Sequence, residues 1–167
     1  MTLPQSASPA TPLPPVEETG ESPEFVRVSA AAAMELGLKK GRFMRDCSCG
    51  CINLLQNYQV SCVANCAYCG LARQREGESV DKSFIRVDWP LYSMDLIARK
   101  IAEKEARSGV GRVCVSQVHH PKACQDLITI CDQVHQAAPQ VPLSALVSAS
   151  LLDEDKLASI QATGVDI

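Results

Sequence analysis

Cys62, Cys66 and Cys69 stand in the order C-x3-C-x2-C within the stretch Ser61-Cys62-Val63-Ala64-Asn65-Cys66-Ala67-Tyr68-Cys69-Gly70. They follow the run from Cys51 to Val60, so the spacing reads as a metal loop hung from the end of a buried strand. Thiolates are soft ligands that suit iron–sulfur clusters and zinc. A four-iron cluster takes four protein ligands, so three leave one iron open to a partner from outside the chain. An open position is where metal chemistry takes place. Structural zinc asks for two ligand pairs; no second pair follows Cys69, although Cys47, Cys49 or Cys51 would supply a fourth thiol. The ferredoxin run C-x2-C-x2-C-x3-C-P fails at its first spacing and at its fourth cysteine. A [4Fe-4S] cluster on Cys62, Cys66 and Cys69 is the expectation, with zinc as the alternative.

The loop, with an aromatic residue before its last cysteine, resembles the radical S-adenosylmethionine (SAM) superfamily. Its continuation Asn65-Cys66-Ala67-Tyr68-Cys69-Gly70-Leu71-Ala72-Arg73 is similar to the biotin and lipoyl synthase branch. The segment Lys82-Ser83-Phe84-Ile85-Arg86-Val87-Asp88-Trp89-Pro90 resembles, more narrowly, the two-component lipoyl synthases of archaea and some bacteria. The resemblance implies a SAM molecule chelating the open iron through its amino and carboxylate groups. It implies reductive cleavage of SAM to a 5′-deoxyadenosyl radical, and sulfur insertion into an octanoyl chain on a carrier protein. A one-electron reductant such as ferredoxin or flavodoxin and a second radical SAM subunit are the further partners implied. Biotin synthase-like sulfur insertion, other radical SAM chemistry and a non-catalytic metal-binding role remain as alternatives.

The same resemblance places Tyr68 beside the adenine. The family's Gly-Gly-Glu-like segment at the end of the second strand is absent, and Ser116 and Gln117 are the residues expected to bind SAM there. His119 is a candidate donor or proton carrier, against the plainer reading of His119 and His120 as loop or helix-cap residues. Lipoyl synthases use an auxiliary cluster as sulfur donor. Cys47, Cys49 and Cys51 share one face of an extended segment and leave such a second metal open, against the plainer reading of buried thiols. A strand rising about 3.3 Å per residue separates them from the cysteine loop, so they do not complete it.

The surrounding chain sets the conditions. Its 167 residues suit one domain, and 46% hydrophobic content with only 4% aromatics calls for an aliphatic core. Nineteen acidic against sixteen basic residues give a net charge of −3, so nothing favours a nucleic acid or an acidic membrane as partner. No apolar run approaches the roughly 18 residues that span a bilayer. Free thiols in a metal loop call for a reducing setting, and cytoplasm is the expected location.

Residues 1–24 hold six prolines among Ser, Thr and Glu, a composition expected to stay disordered. Residues 25–167 are expected to form the radical SAM core domain. Ser29 caps a helix over Ala30 to Leu38, closed by Lys39, Lys40 and Gly41, ahead of a first strand at Ile52 to Val60. After a long polar connection, where Arg73 and Arg75 are candidates to meet negative charge, Ser93 and Asp95 open a helix that Gly109 ends. Val113-Cys114-Val115 is the second strand. Cys124, Leu127, Ile130, Cys131 and Val134 recur at helical spacing after Pro121, which makes both cysteines core residues. Val141 to Val147 is the third strand, Asp153 caps the next helix, Gly164 closes it, and Val165-Asp166-Ile167 begins a fourth. Strand–helix alternation predicts α/β architecture with parallel strands. With the resemblance, this is the N-terminal portion of a radical SAM (β/α) TIM-type partial barrel, expected to be a fragment or one half of a split protein, and of doubtful activity alone. On that reading, Ser148 and Ser150 at the third strand's end are weaker candidates.

Overall fold

The computed structural model describes residues 12–44, 47–60, 62–76, 84 and 87–166. Expectations placed on residues 1–11, Ser61, Lys82, Ser83, Ile85, Arg86 and Ile167 lie outside the described residues. In chain order the elements are β1 (Phe25–Val28), α1 (Ala30–Glu35), β2 (Cys51–Gln56), β3 (Leu91–Ser93), α2 (Met94–Ser108), β4 (Arg112–Ser116), α3 (Ala123–Ala137), β5 (Leu143–Leu146) and α4 (Glu154–Gln161). A 3-10 turn at Ala149–Leu151 lies between β5 and α4.

Alternating burial fixes the sheet. Val26 and Val28, Ile52 and Leu54, Val113 and Val115, and Leu143 and Ala145 are buried along β1, β2, β4 and β5. They share one core with Ile97, Ile101, Leu127, Ile130 and Ile160 of the helices. Each such side chain, fully withdrawn from water, contributes about 1.5–3 kcal/mol. The residues between them, Arg27, Cys51, Asn53, Cys114 and Ser144, are only half-buried. The strand order is β3-β1-β2-β4-β5. β2, β4 and β5 run parallel, with Leu54 opposite Val115 and Val115 opposite Ala145. The expected fourth strand begins as a parallel bridge between Ser144 and Asp166.

The protein is thus a mixed α/β structure whose sheet includes parallel pairs, and three features depart from the expectation. First, β1 precedes α1 and pairs antiparallel with both β2 and β3. Four and three residues are too few for a period to show in sequence, and these strands exist because β2 offers an edge. Second, part of the segment expected to be disordered is packed: the Glu17 N–H donates to Leu91 O at 2.9 Å, and buried Ser22 bonds Phe25 and Asn57. Third, α1 ends at Glu35, with Leu36 as its C-cap, rather than at the expected Leu38. Gly37 has φ 70°, and the N–H groups of Gly37 and Leu38 donate to Met34 O and Ala33 O, the paired bonds of a Schellman cap. Ser29 Oγ accepts from Ala32 N, Asp153 Oδ1 accepts from Lys156 N, and Gly109 follows α2 with φ 78°; Ser93 stands at the N-cap of α2 but its side chain makes no cap bond. Among the described residues no helix is long and apolar enough to cross a membrane.

One side chain joins the C-terminal ends of these elements. Gln56 is buried at the end of β2; its Nε2 donates to Ala123 O at 2.7 Å, and its Oε1 accepts from Val118 N at 3.1 Å. Gln56→Ala would leave the buried Val118 N–H without its acceptor and remove the side-chain bond to Ala123 O. The expected loss, measured by urea unfolding, is about 1–3 kcal/mol; a loss under about 0.5 kcal/mol would show that the joint is dispensable.

Candidate metal centre

The cysteine loop is rooted where that joint lies. Leu55, Tyr58, Trp89 and Val118 form a second, smaller apolar cluster, and Cys62, Leu71 and Phe84 pack against it. Tyr58 Oη donates to Asp126 Oδ2 at 2.8 Å, and burial followed by that carboxylate pushes the phenol well above its ordinary pKa. The Val63 N–H donates to His119 O at 3.1 Å. Cys62 therefore starts from a fixed base beside the end of β4.

From there the loop closes on itself. Arg73 N donates to Ala64 O at 2.9 Å, and Asn65 and Gln74 exchange amide bonds at 2.7 and 3.3 Å. Arg75 reaches inward: Nη2 donates to Ala67 O at 2.7 Å and Nε to Cys69 O at 3.4 Å. Such end-to-end closure lets a loop without regular structure hold one shape. Arg75, a candidate from sequence to meet negative charge, is the clamp of the loop; Arg73 contributes its backbone.

Cys62, Cys66 and Cys69 border one cavity of about 360 Å³, together with Tyr68 and, from the other side, Gln117 and His119. Much of the remaining wall is apolar, with Leu146 and Val147 from the end of β5. Tyr68 is 81% exposed. Gln117 reaches the wall, but its Nε2 donates to Cys124 Sγ and its Oε1 accepts from Ser148 N at 2.9 Å, so its amide ties β4 to β5. Ser116 is buried and does not line the cavity. His120 stands elsewhere, stacked on Tyr58 at 3.9 Å, with Nδ1 accepting from Lys122 N before α3; this is the loop role, since α3 has no side-chain cap bond at its N-cap. His119 Nε2 lies 3.1 Å from Ser150 Oγ, which lies 3.0 Å from Ser148 Oγ. Its Nδ1 is buried with no hydrogen-bond partner.

The electrostatics suit a cation. Cys69 is pushed above the ordinary thiol range, first by burial and then by the charges Cys62 and Cys66 would carry; the Leu71 N–H and Arg75 oppose this. Thiols set together in this way ionise fully only when metal neutralises them. Among the described residues no three His, Cys, Asp or Glu side chains are gathered round a point as for a single ion. A cluster asks something different, since its cysteines bind separate irons. Three free thiols on one cavity fit that donor chemistry.

The other cysteines lie apart. Cys49 lines a separate cavity with Lys104 and Gly111, at the N-terminal end of β4. Its thiol donates to Cys51 O at 2.8 Å, and that of Cys51 to Asn53 Oδ1 at 3.5 Å. Cys131 is fully buried in α3, where burial pushes its thiol up to about 12, and Cys124 is the half-buried acceptor of Gln117. The apolar lining from Leu71, Leu146 and Val147 was not foreseen; nothing in its sequence pattern separates it from core.

No family model, curated protein or solved structure matches the chain.

Two outcomes follow for the metal-free protein. Because the Cys69 pKa is raised, its alkylation by iodoacetamide should keep accelerating with pH beyond the point where an ordinary thiol levels off; levelling at or below that point would contradict the burial. Arg75→Ala should speed proteolysis within residues 62–75 while changing global stability by no more than about 1 kcal/mol. An unchanged cleavage rate would remove Arg75 as the clamp.

Proposed function

We propose that the chain is the N-terminal portion of a radical SAM enzyme, built on a partial (β/α) barrel to which β2, β4 and β5 belong. One observation carries this reading: three cysteines on a self-closed loop after β2 open onto the same cavity as residues beyond the end of β4. In parallel α/β folds, ligands bind at that end of the strands. Cys62, Cys66 and Cys69 would hold a [4Fe-4S] cluster, whose open iron takes SAM. When bound and reduced, such a group supplies one electron to the sulfonium, giving methionine and a 5′-deoxyadenosyl radical that removes hydrogen from an unactivated carbon.

The chain's residues do the rest. Arg75 fixes the loop carbonyls and brings positive charge beside Cys69. Tyr68 offers an exposed ring for the adenine to stack on. Gln117 and Ser148 hold the far wall in place. Leu71, Phe84, Leu146 and Val147 give the cavity an apolar lining, which excludes water from a reactive radical and suits a saturated acyl chain. We therefore read the reaction as sulfur insertion into an octanoyl chain on a carrier protein, of lipoyl synthase type. A reducing compartment and a one-electron donor are required, and a second radical SAM subunit is the further partner of this reading.

Anaerobic reconstitution should yield a brown protein with about four irons and four sulfides per chain, lost on Cys62→Ser, Cys66→Ser or Cys69→Ser. With SAM and dithionite it should release 5′-deoxyadenosine. An octanoylated carrier protein should then gain the mass of two sulfurs in place of two hydrogens once a sulfur source and any partner subunit are supplied. A colourless protein that retains zinc would overturn the reading.

A further inference from the structure

One carboxylate far from the cavity in sequence reaches both strand ends from which its walls rise. Glu21 Oε1 accepts from Gln59 N at 2.9 Å, three residues before Cys62, and Glu21 Oε2 accepts from Lys122 Nζ at 3.4 Å, three residues after His119. Cys62 follows β2, His119 follows β4, both border the cavity, and the Val63 N–H to His119 O bond joins the two sides. Glu21 is itself clasped to the end of β2. Ser22 N donates to Asn57 O at 2.9 Å, Asn57 N donates to Ser22 Oγ at 3.0 Å, and Asn57 Nδ2 donates to Gly20 O. Asn57 Oδ1 accepts from Arg27 Nε at 2.7 Å, so all four hydrogen-bonding groups of this residue are engaged. The Gln59 N–H first, and then Lys122, hold the Glu21 carboxyl below its ordinary range, against partial desolvation. The ion pair is largely exposed and contributes little alone; the charge-assisted bond from a backbone N–H is the stronger of the two.

We propose that Glu21 is a positioning residue of the cysteine site: clasped on Asn57, it fixes the approach to Cys62 against the approach to His119 and so keeps the bond between Val63 and His119 closed. The approach needs such a hold. Gln59 and Val60, between buried Tyr58 and half-buried Cys62, are exposed and have little packing of their own, and segments of that kind open locally at low cost. The segment around Glu21, polar and proline-rich, is thereby part of the site rather than a passive tail. The inference rests on the function proposed above only in taking this cavity as the site, and it holds whether the loop carries an iron–sulfur cluster or zinc.

The test follows amide hydrogen exchange by NMR in the full, metal-free, ¹⁵N-labelled chain. Glu21→Ala should speed exchange at Val63 by about tenfold while leaving Val115, in the core of β4, unchanged. Glu21→Gln keeps an acceptor for the Gln59 N–H and should fall between wild type and Glu21→Ala. Asn57→Asp keeps the acceptor for Arg27 but loses the donor to Gly20, and should also speed Val63. In the reconstituted chain, whichever metal is held should pass to a chelator faster from Glu21→Ala than from wild type. Unchanged exchange at Val63 would overturn the role of Glu21. So would equal acceleration at Val63 and Val115, which marks general packing, or faster exchange with unchanged metal release, which separates the bond from the site. The identity of the metal decides the proposed function independently: zinc in place of a cluster overturns that reading and leaves the role of Glu21 to the exchange and release rates.

Discussion

The buried amide of Gln56 is the constraint on which the upper end of the sheet depends. A parallel pair such as β2 and β4 has no turn to align its ends, so something non-local must set where both strands stop. Gln56 does this with two bonds, to the first residue of α3 and to the second residue beyond β4. Buried amides are costly unless both ends are satisfied, which makes the joint specific as well as strong. From this fixed floor rise Cys62, packed on the second apolar cluster, and His119, whose carbonyl receives the loop. The two walls of the cavity therefore share one foundation.

That foundation lets an irregular loop carry a demanding arrangement. Fourteen residues from Cys62 to Arg75 contain no helix or strand, and their shape comes from backbone closure, an amide pair and one guanidinium. Loops held in this way keep their thiols accessible while the scaffold stays rigid. At Cys69 burial and neighbouring thiols oppose ionisation while Arg75 and a backbone N–H favour it, and the balance leaves that thiol above its ordinary range.

Much of the fold was legible in the sequence where one residue decides the outcome locally. Asp153 and Gly109 marked helix ends, and helical spacing placed Cys131 in the core. What escaped was set by partners far along the chain. β1 and β3 are short strands, and the pairing of β1 with β2 and of β3 with β1 spans a long separation. Residues from Glu17 are ordered by bonds to Leu91 and Asn57. Ser116 and Gln117 were chosen by position after the second strand, but the first is buried, against the alternation of β4, and the amide of the second is engaged by Cys124 and by Ser148 N. The orphaned nitrogen of His119 is a property of packing, and no spacing in the sequence announces it.

The central claim is that three cysteines leave one iron chemically distinct. Mössbauer spectroscopy of ⁵⁷Fe-reconstituted protein tests this most directly, because it resolves the irons of one cluster individually. The account predicts that roughly one iron in four changes its isomer shift and quadrupole splitting when SAM is added, while the others stay fixed. Spectra in which all irons remain equivalent and indifferent to SAM would contradict it.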